Sequence, residues 1–326
     1  MTYHAISPAR RAGADVDAAA LAAALRATVA GEVRFDDGSR ALYATDSSNY
    51  RQIPIGVVLP RTADDIVQTV AACRRHGAPL LPRGGGTSLA GQCCNVAVVL
   101  DCSKYLNRVL AIDPDRRRAR VEPGTILDDL RDAAERHHLT YGPDPATHNH
   151  CTLGGMIGNN SCGVHSVMAG KTDDNVEELE ILTYDGLRLR VGATDDDELA
   201  RIIAAGGRRG EIYGKLRDLR DRYADLIRQR FPHIPRRVSG YGLEQLLPEN
   251  GFHVARALVG SEGTLVTVLH AELDLVPKPA AQAILVLGYD DICAAADDVP
   301  TLLEHSEPTQ LEALDGRMAQ LMREEG

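Results

Sequence analysis

The residues best suited to chemistry in this chain are glycines with hydroxyl and amide side chains among them. "LPRGGGTSLAGQ" holds Gly84, Gly85 and Gly86, followed by Thr87 and Ser88. Bare backbone after a strand presents N–H groups that suit an anion, above all a phosphate or diphosphate. Two phosphate templates fail. G-x-G-x-x-G meets Leu89 at its last glycine, and G-x-x-x-x-G-K-[ST] fits Gly86 and Gly91 but then meets Gln92 where lysine is required. A tight structural turn is the alternative reading of three glycines standing alone. They do not stand alone. "YGPDPATHNHCTLGGMIGNNSCGVHS", residues 141–166, carries Gly154, Gly155, Gly158 and Gly163 with Thr152, Asn159, Asn160 and Ser161, and "LVGSEGTL", residues 258–265, repeats the composition. An elongated ligand lying along bare main chain, with polar atoms at intervals, calls for such segments.

Other chemistries are poorly supplied. His148 and His150 stand two apart, which on a strand shares a face and allows a metal pair. No third ligand is near, so no metal site is assigned and both are read as loop positions. Seven cysteines, at 73, 93, 94, 102, 151, 162 and 293, form no C-x-x-C pair, so neither a disulfide framework nor a metal cluster is suggested. Cys93 and Cys94 read as small buried hydrophobes. A formal charge of −10, no tryptophan and 4% aromatic residues argue against a nucleic-acid partner. No apolar run is long enough for a transmembrane segment, and the first twenty residues lack the apolar core of a secretory signal. The expected location is cytoplasmic, or peripheral to the inner membrane.

The elements that must position the glycine segments follow from periodicity and punctuation. Residues 15–30 read as an alanine-rich helix with Asp15 as N-cap and Gly31 as C′. "GVVLP" (56–60), "APLLP" (78–82) and "VAVVLD" (96–101) read as strands around a helix that Thr62 and Asp65 open as a capping box. Residues 108–112 and 118–122 form a hairpin, Thr125 opens a helix to about 138, and Asp185-Gly186 turns a second hairpin within 175–191. Helices at 195–205 and 211–230 and strand at 264–277 follow. The aspartates at 195–197 sit at a helix start, where they suit the dipole. After "PKPAA", "QAILVLGY" reads as strand, 291–305 as helix and 311–325 as strand or turn and then helix. The domain division is 1–50, an N-terminal helical segment; 51–280, the ligand-binding domain; and 281–326, the start of a second, truncated domain.

In order along the chain, "LPRGGGTSLAGQ", "CTLGGMIGNNSCG", "SGYGLEQLL" (239–247) and "VGSEGTLVTV" resemble the flavin-binding segments of the FAD-linked oxidase family, the vanillyl-alcohol oxidase or p-cresol methylhydroxylase superfamily. The branch most similar is that of the D-lactate, glycolate and D-2-hydroxyglutarate dehydrogenases. The resemblance covers roughly residues 50–280. It implies an α+β (α/β) fold of PCMH type, with two subdomains cradling FAD and the start of a ferredoxin-like cap. It places Pro82, Arg83, Gly84, Gly85, Gly86, Thr87, Ser88, Gly91 and Gln92 around the FAD pyrophosphate, through backbone more than through the Arg83 guanidinium, which has a solvated surface charge as its alternative. Pro143, Asp144, Thr152, Gly154, Gly155, Gly158, Asn159, Ser161 and Gly163 would line the isoalloxazine and ribityl chain. Asp144 reads more readily as a turn residue between two prolines. Glu262, Gly263 and Val268 match the adenine side, and Val268 also reads as a core strand residue. Some members attach flavin to a histidine of the first loop. The matching position here is Thr87, so the FAD is expected to be non-covalent.

The resemblance further implies an enzyme that oxidises a D-2-hydroxy acid to the 2-oxo acid and passes electrons to a quinone, an iron–sulfur module or another acceptor. Catalytic residues are not assignable from the motifs. Arg317, in "TQLEALDGRM", either faces a substrate carboxylate or lies on a surface helix. A non-catalytic nucleotide-binding module or a fragment without turnover is the second reading. A metal phosphohydrolase using His148 and His150 is the third.

Overall fold

The computed structural model describes residues 15–325; the start of the 1–50 segment lies outside them. Two sheets organise the chain. The first contains β1 (Glu32–Arg34), β2 (Gly56–Leu59), β3 (Leu80–Arg83) and β4 (Val98–Asp101), ordered β1-β2-β4-β3. β2, β4 and β3 run parallel, and β1 pairs antiparallel with β2. Every residue of β2 and β4 is buried, as a parallel sheet covered on both faces requires. On one face Val58, Val98 and Leu100 pack with Leu21 and Leu25 of α1 (Ala18–Thr28) and Ile66 and Val70 of α3 (Ala63–Arg75). On the other, Val57, Leu59 and Val99 meet Tyr43, just after α2 (Asp37–Leu42), and Tyr105.

The second sheet is antiparallel, ordered β5-β6-β10-β8-β9. Its strands are β5 (Val109–Asp113), β6 (Arg118–Val121), β8 (Val176–Thr183), β9 (Arg188–Val191) and β10 (Val266–Asp274). β10 alternates strictly between buried and half-buried positions, so one face enters the core. The other carries ion pairs such as Arg118 with Glu177 at 2.7 Å and Arg188 with Glu180 at 2.6 Å. Beneath the apolar face lie α4 (Leu127–Glu135), α5 (Leu153–Asn159) and α9 (Val254–Leu258), with Leu127, Leu130, Leu153, Met156 and Ala255 fully buried. Short β7 (Leu139–Thr140) and β11 (Val276–Pro277) pair antiparallel. The four-residue α6 (Ser166–Ala169) precedes β8, and α7 (Asp196–Ala205) and α8 (Gly207–Arg230) follow β9.

Most expected elements form, and several corrections follow. The capping box at Thr62 and Asp65 is present. α1 is capped by Asp17, whose carboxylate accepts from the N–H groups of Ala19 and Ala20, and not by Asp15. The helix ends before Val29, so Gly31 is not its C′ residue; Gly31 instead lets the chain pass against the Leu59 carbonyl. α4 begins at Leu127, because the Thr125 hydroxyl is spent on the carbonyls of Arg108 and Glu122. The largest departure is 282–289, which forms no strand. Ile284, Leu285 and Val286 are 84%, 79% and 85% exposed. An apolar run makes a strand only where a neighbouring strand takes its hydrogen bonds, and among the described residues none does. α10 (Ile292–His305) and α11 (Gly316–Glu324) form as expected but bury no residue.

Candidate functional site

The three glycine segments converge on one cavity between the two sheets. Pro82 to Ser88 and Gln92 come from the loop after β3; Thr152, Gly154, Gly155, Gly158, Asn159 and Ser161 from α5 and its flanks; Glu262, Gly263 and Val268 from the loop into β10. Val268, half-buried on β10, serves both as sheet residue and as wall. Gly91, Pro143, Asp144 and Gly163 stand behind the wall. Gly91, at φ +82°, backs onto the Tyr50 ring, and the Pro143 carbonyl accepts from Arg131. Asp144 caps His165, accepting from its backbone N–H at 2.9 Å and from its Nδ1.

What holds the first loop is the Arg83 side chain. Its guanidinium donates to the carbonyls of Cys93 at 3.0 Å, Thr45 at 2.8 Å and Tyr43 at 3.4 Å, and lies over the Tyr43 ring. The Tyr43 hydroxyl donates to Asp101 at 2.6 Å, and burial, then this bond, raise its pKa. Ser47 N–H donates to the Gly86 carbonyl at 3.0 Å. Gly86 takes φ +71°, and a side chain there would strike Arg83. Arg83 is therefore a tie for the loop, not a solvated charge, and its charge is spent on carbonyls behind the cavity wall.

The second segment is built on α5. Thr152 caps it, its Oγ1 accepting from Gly155 N–H at 3.2 Å, and Asn160 closes it in the left-handed conformation. Asn160 Oδ1 then accepts from Asp173 N–H at 3.0 Å. The third segment hangs from the same helix. Gly260 N–H donates to Ile157 and Glu262 N–H to Gly158, both at 2.9 Å. Glu262 sits at φ +53°, and desolvation shifts its carboxyl upward; among the described residues it makes no ion pair.

The glycines divide by what faces them. A Cβ on Gly84 would come within 2.8 Å of Thr152 Oγ1, one on Gly85 would overlap the His150 carbonyl, and one on Gly154 would lie 2.7 Å from the Pro123 carbonyl. A Cβ on Gly158 would meet nothing within 4 Å. The first three allow main chain to pack on main chain. Gly158 leaves an open cradle on the cavity wall, as a flat or elongated ligand requires. The floor is apolar: Leu100, Cys102, Cys151, Met156 and Leu179 line it. Burial pushes the Cys151 thiol up to about 11, so it is a neutral wall group.

Cys102, Pro123, Cys151, Met156, Leu179 and Ser261 were not singled out from sequence as wall residues. Ser261 and Cys151 lie inside the quoted motifs and were findable there. Pro123 and Leu179 lie outside them, and only the tertiary fold brings them to the wall. "SGYGLEQLL" also stays off the wall, although Tyr241 reaches the third segment through a 3.0 Å bond between its hydroxyl and Thr264 Oγ1. The histidines form no metal group among the described residues. They lie in a turn, not on a strand; His148 pairs with Asp128 at 2.8 Å and His150 with Asn149 at 2.6 Å. Arg317 is exposed on α11.

Fold and site together define a flavin-binding domain. Residues 54–192 match the family model described as "FAD binding domain". D-2-hydroxyglutarate dehydrogenase of Pseudomonas putida is 35% identical over 295 residues, covering 89% of this chain and 29% of that protein. Glycolate oxidase subunit GlcD of Bacillus subtilis is 33% identical, over 88% of this chain and 52% of that protein. In a solved alkyldihydroxyacetonephosphate synthase, 19% identical, the fold superposes with a TM-score of 0.56, over 81% of this chain and 44% of that one. Residues 54–192 are thus a FAD-binding domain, and the cofactor is FAD. It spans less than a third of the hydroxyglutarate dehydrogenase named here and about half of the glycolate oxidase subunit.

Proposed function

We propose that this chain is the flavin-binding part of a dehydrogenase that oxidises a D-2-hydroxy acid, of the lactate, glycolate or 2-hydroxyglutarate type, to the 2-oxo acid. The single observation that carries this reading is the convergence of the three glycine segments on one cavity, with Gly158 left open on its wall. The printed names of the relatives support the substrate class. FAD, when bound, supplies a two-electron acceptor for hydride from the substrate α-carbon.

The chain's own residues bind and orient. Main chain at Gly84–Ser88, tied by Arg83, offers N–H groups and the Thr87 and Ser88 hydroxyls to the pyrophosphate. Gly155, Gly158, Asn159 and Ser161 take the ring and ribityl side, and Glu262, Gly263 and Val268 the adenine side. The Thr87 hydroxyl is a much weaker nucleophile than the histidine found at this position in some relatives, which supports non-covalent attachment. Residues 281–326 are proposed as the start of a substrate-covering domain; the exposed apolar Ile284, Leu285 and Val286 support a segment that a further domain would cover. The electron acceptor is proposed to be a quinone, an iron–sulfur module or another carrier. Among the described residues no helix is long and apolar enough to cross a membrane.

The test is an absorption spectrum of the purified chain after FAD is added and excess removed, followed by anaerobic D-lactate, glycolate and D-2-hydroxyglutarate in turn. Retained flavin bands that bleach with one acid support the dehydrogenase. Retained bands that none of the three bleaches favour a binding module without turnover in this chain. A colourless product sinks both.

A further inference from the structure

One group of polar side chains beside the cavity is used neither for the flavin nor for the core. Arg236 Nη2 donates to the Gly163 carbonyl at 2.8 Å, and the rest of this exposed guanidinium has no partner among the described residues. His165, two residues beyond Gly163, is clamped by Asp144 at both its backbone N–H and its Nδ1. A carboxylate on Nδ1 selects the tautomer with the proton there and leaves Nε2 as a free acceptor. The Asp144 main chain lies where a side chain on Gly163 would stand, so histidine, aspartate and arginine are all anchored at this one glycine. Pro145, Asn159 and Ser161, next to these anchors in sequence, are themselves cavity wall. The segment carrying Arg236 continues across the third glycine segment. The carbonyls of Val238 and Gly240 face Gly260, and Tyr241 bonds Thr264. The group therefore borders the end of the cavity where the second and third segments meet.

We infer that Arg236 and His165 form the receiving site for the substrate at this end: the guanidinium takes a carboxylate, and His165 Nε2 accepts a hydrogen bond from the hydroxyl on the adjacent carbon. A planar donor and an imidazole nitrogen, both held close to Gly163, match the two functions of a 2-hydroxy acid. The inference deepens the proposed function and rests on it for the substrate class. Asp144 is then a positioning residue, acting through the tautomer of His165.

The test uses calorimetry on the full chain, with and without FAD. The probes are oxalate, which carries carboxylates and no hydroxyl, and, on the cofactor-free chain, D-lactate. Arg236→Ala is expected to weaken oxalate about 10- to 100-fold while leaving the FAD dissociation constant within about threefold, and Arg236→Lys to recover part of the loss. Should the alanine variant fail to fold, the lysine variant carries the test, with an expected loss of about fivefold. His165→Gln is expected to weaken D-lactate about fivefold and leave oxalate unchanged, a split that a general structural defect would not produce. Oxalate binding equally well to both Arg236 variants, or not at all to wild type, overturns the site. A chain that binds oxalate but takes up no FAD leaves this carboxylate site standing and removes the flavin reading instead.

Discussion

Gly85 and Gly158 border the same cavity, and they are glycines for opposite reasons. Gly85 is pressed against the His150 carbonyl, in the seam where the first segment packs on the second. Gly158 has no protein atom where its side chain would be. A run of glycines in a sequence is therefore not by itself a map of ligand contact. Part of it is spent on letting two loops approach each other, and only part is left for what lies between them. Gly84 and Gly154 belong with Gly85, each facing hydroxyl or carbonyl oxygen of the neighbouring segment.

The most severe break is expected at the seam. Gly85→Val forces a branched side chain into a carbonyl oxygen, and a loss of at least about 4 kcal/mol is expected, read as a collapsed thermal transition. A melt within a few degrees of wild type would show that the two loops are not packed as described.

Acid is expected to act next, at the root of the third segment. His253 caps α9, accepting from Arg256 N–H, and burial, then the nearby Arg256 charge, lower its pKa from 6.5 to about 4. The unfolded chain takes up this proton as pH falls below 6.5, and the folded chain does so only near 4. Stability is therefore expected to be whole above pH 6.5 and to fall by about 3 kcal/mol down to pH 4. Urea melts from pH 7 to 4 on wild type and His253→Asn, which keeps a capping acceptor, check this; equal slopes would remove His253 as the cause.

Arg83→Ala frees three carbonyls that the guanidinium now binds, two of them held at 3.0 Å or less, with an expected cost of about 2 kcal/mol and weaker FAD binding, because the first segment loses its tie. Differential scanning calorimetry together with flavin titration measures both, and an unchanged flavin affinity would separate the tie from the cofactor.

The smallest effect on stability is expected at the open wall. Gly158→Ala adds a good helix former inside α5 and should change stability by no more than about 1 kcal/mol, in either direction. Its effect should appear in FAD affinity, weakened about tenfold or more, the reverse of the pattern at Gly85. If both substitutions gave the same pattern, the distinction between filled and open glycines would fail.

Much of the fold is legible in the sequence. The capping box at Thr62 and Asp65, the Asp185-Gly186 hairpin and the apolar runs of β2 and β4 follow from local rules that act within a few residues. The three glycine segments were visible because composition marks places where side chains are excluded. Harder to see were Pro123 and Leu179 on the wall, since apolar residues in and beside strands look alike whether they face a core or a cavity. The strand expected at 282–289 was misread for a related reason. An apolar run is a property of the chain, whereas pairing belongs to its neighbours.

Residue order alone established that bare backbone with hydroxyl and amide groups recurs at three places, and that helices and strands alternate between them, because propensity, capping and periodicity are short-range. Tertiary contact alone decided that these places meet at one cavity, that the Arg83 guanidinium ties the loop through three carbonyls, and that Gly158 and not Gly85 stands open. Those outcomes depend on which main chain lies within a few ångströms of which, and no local rule carries that distance.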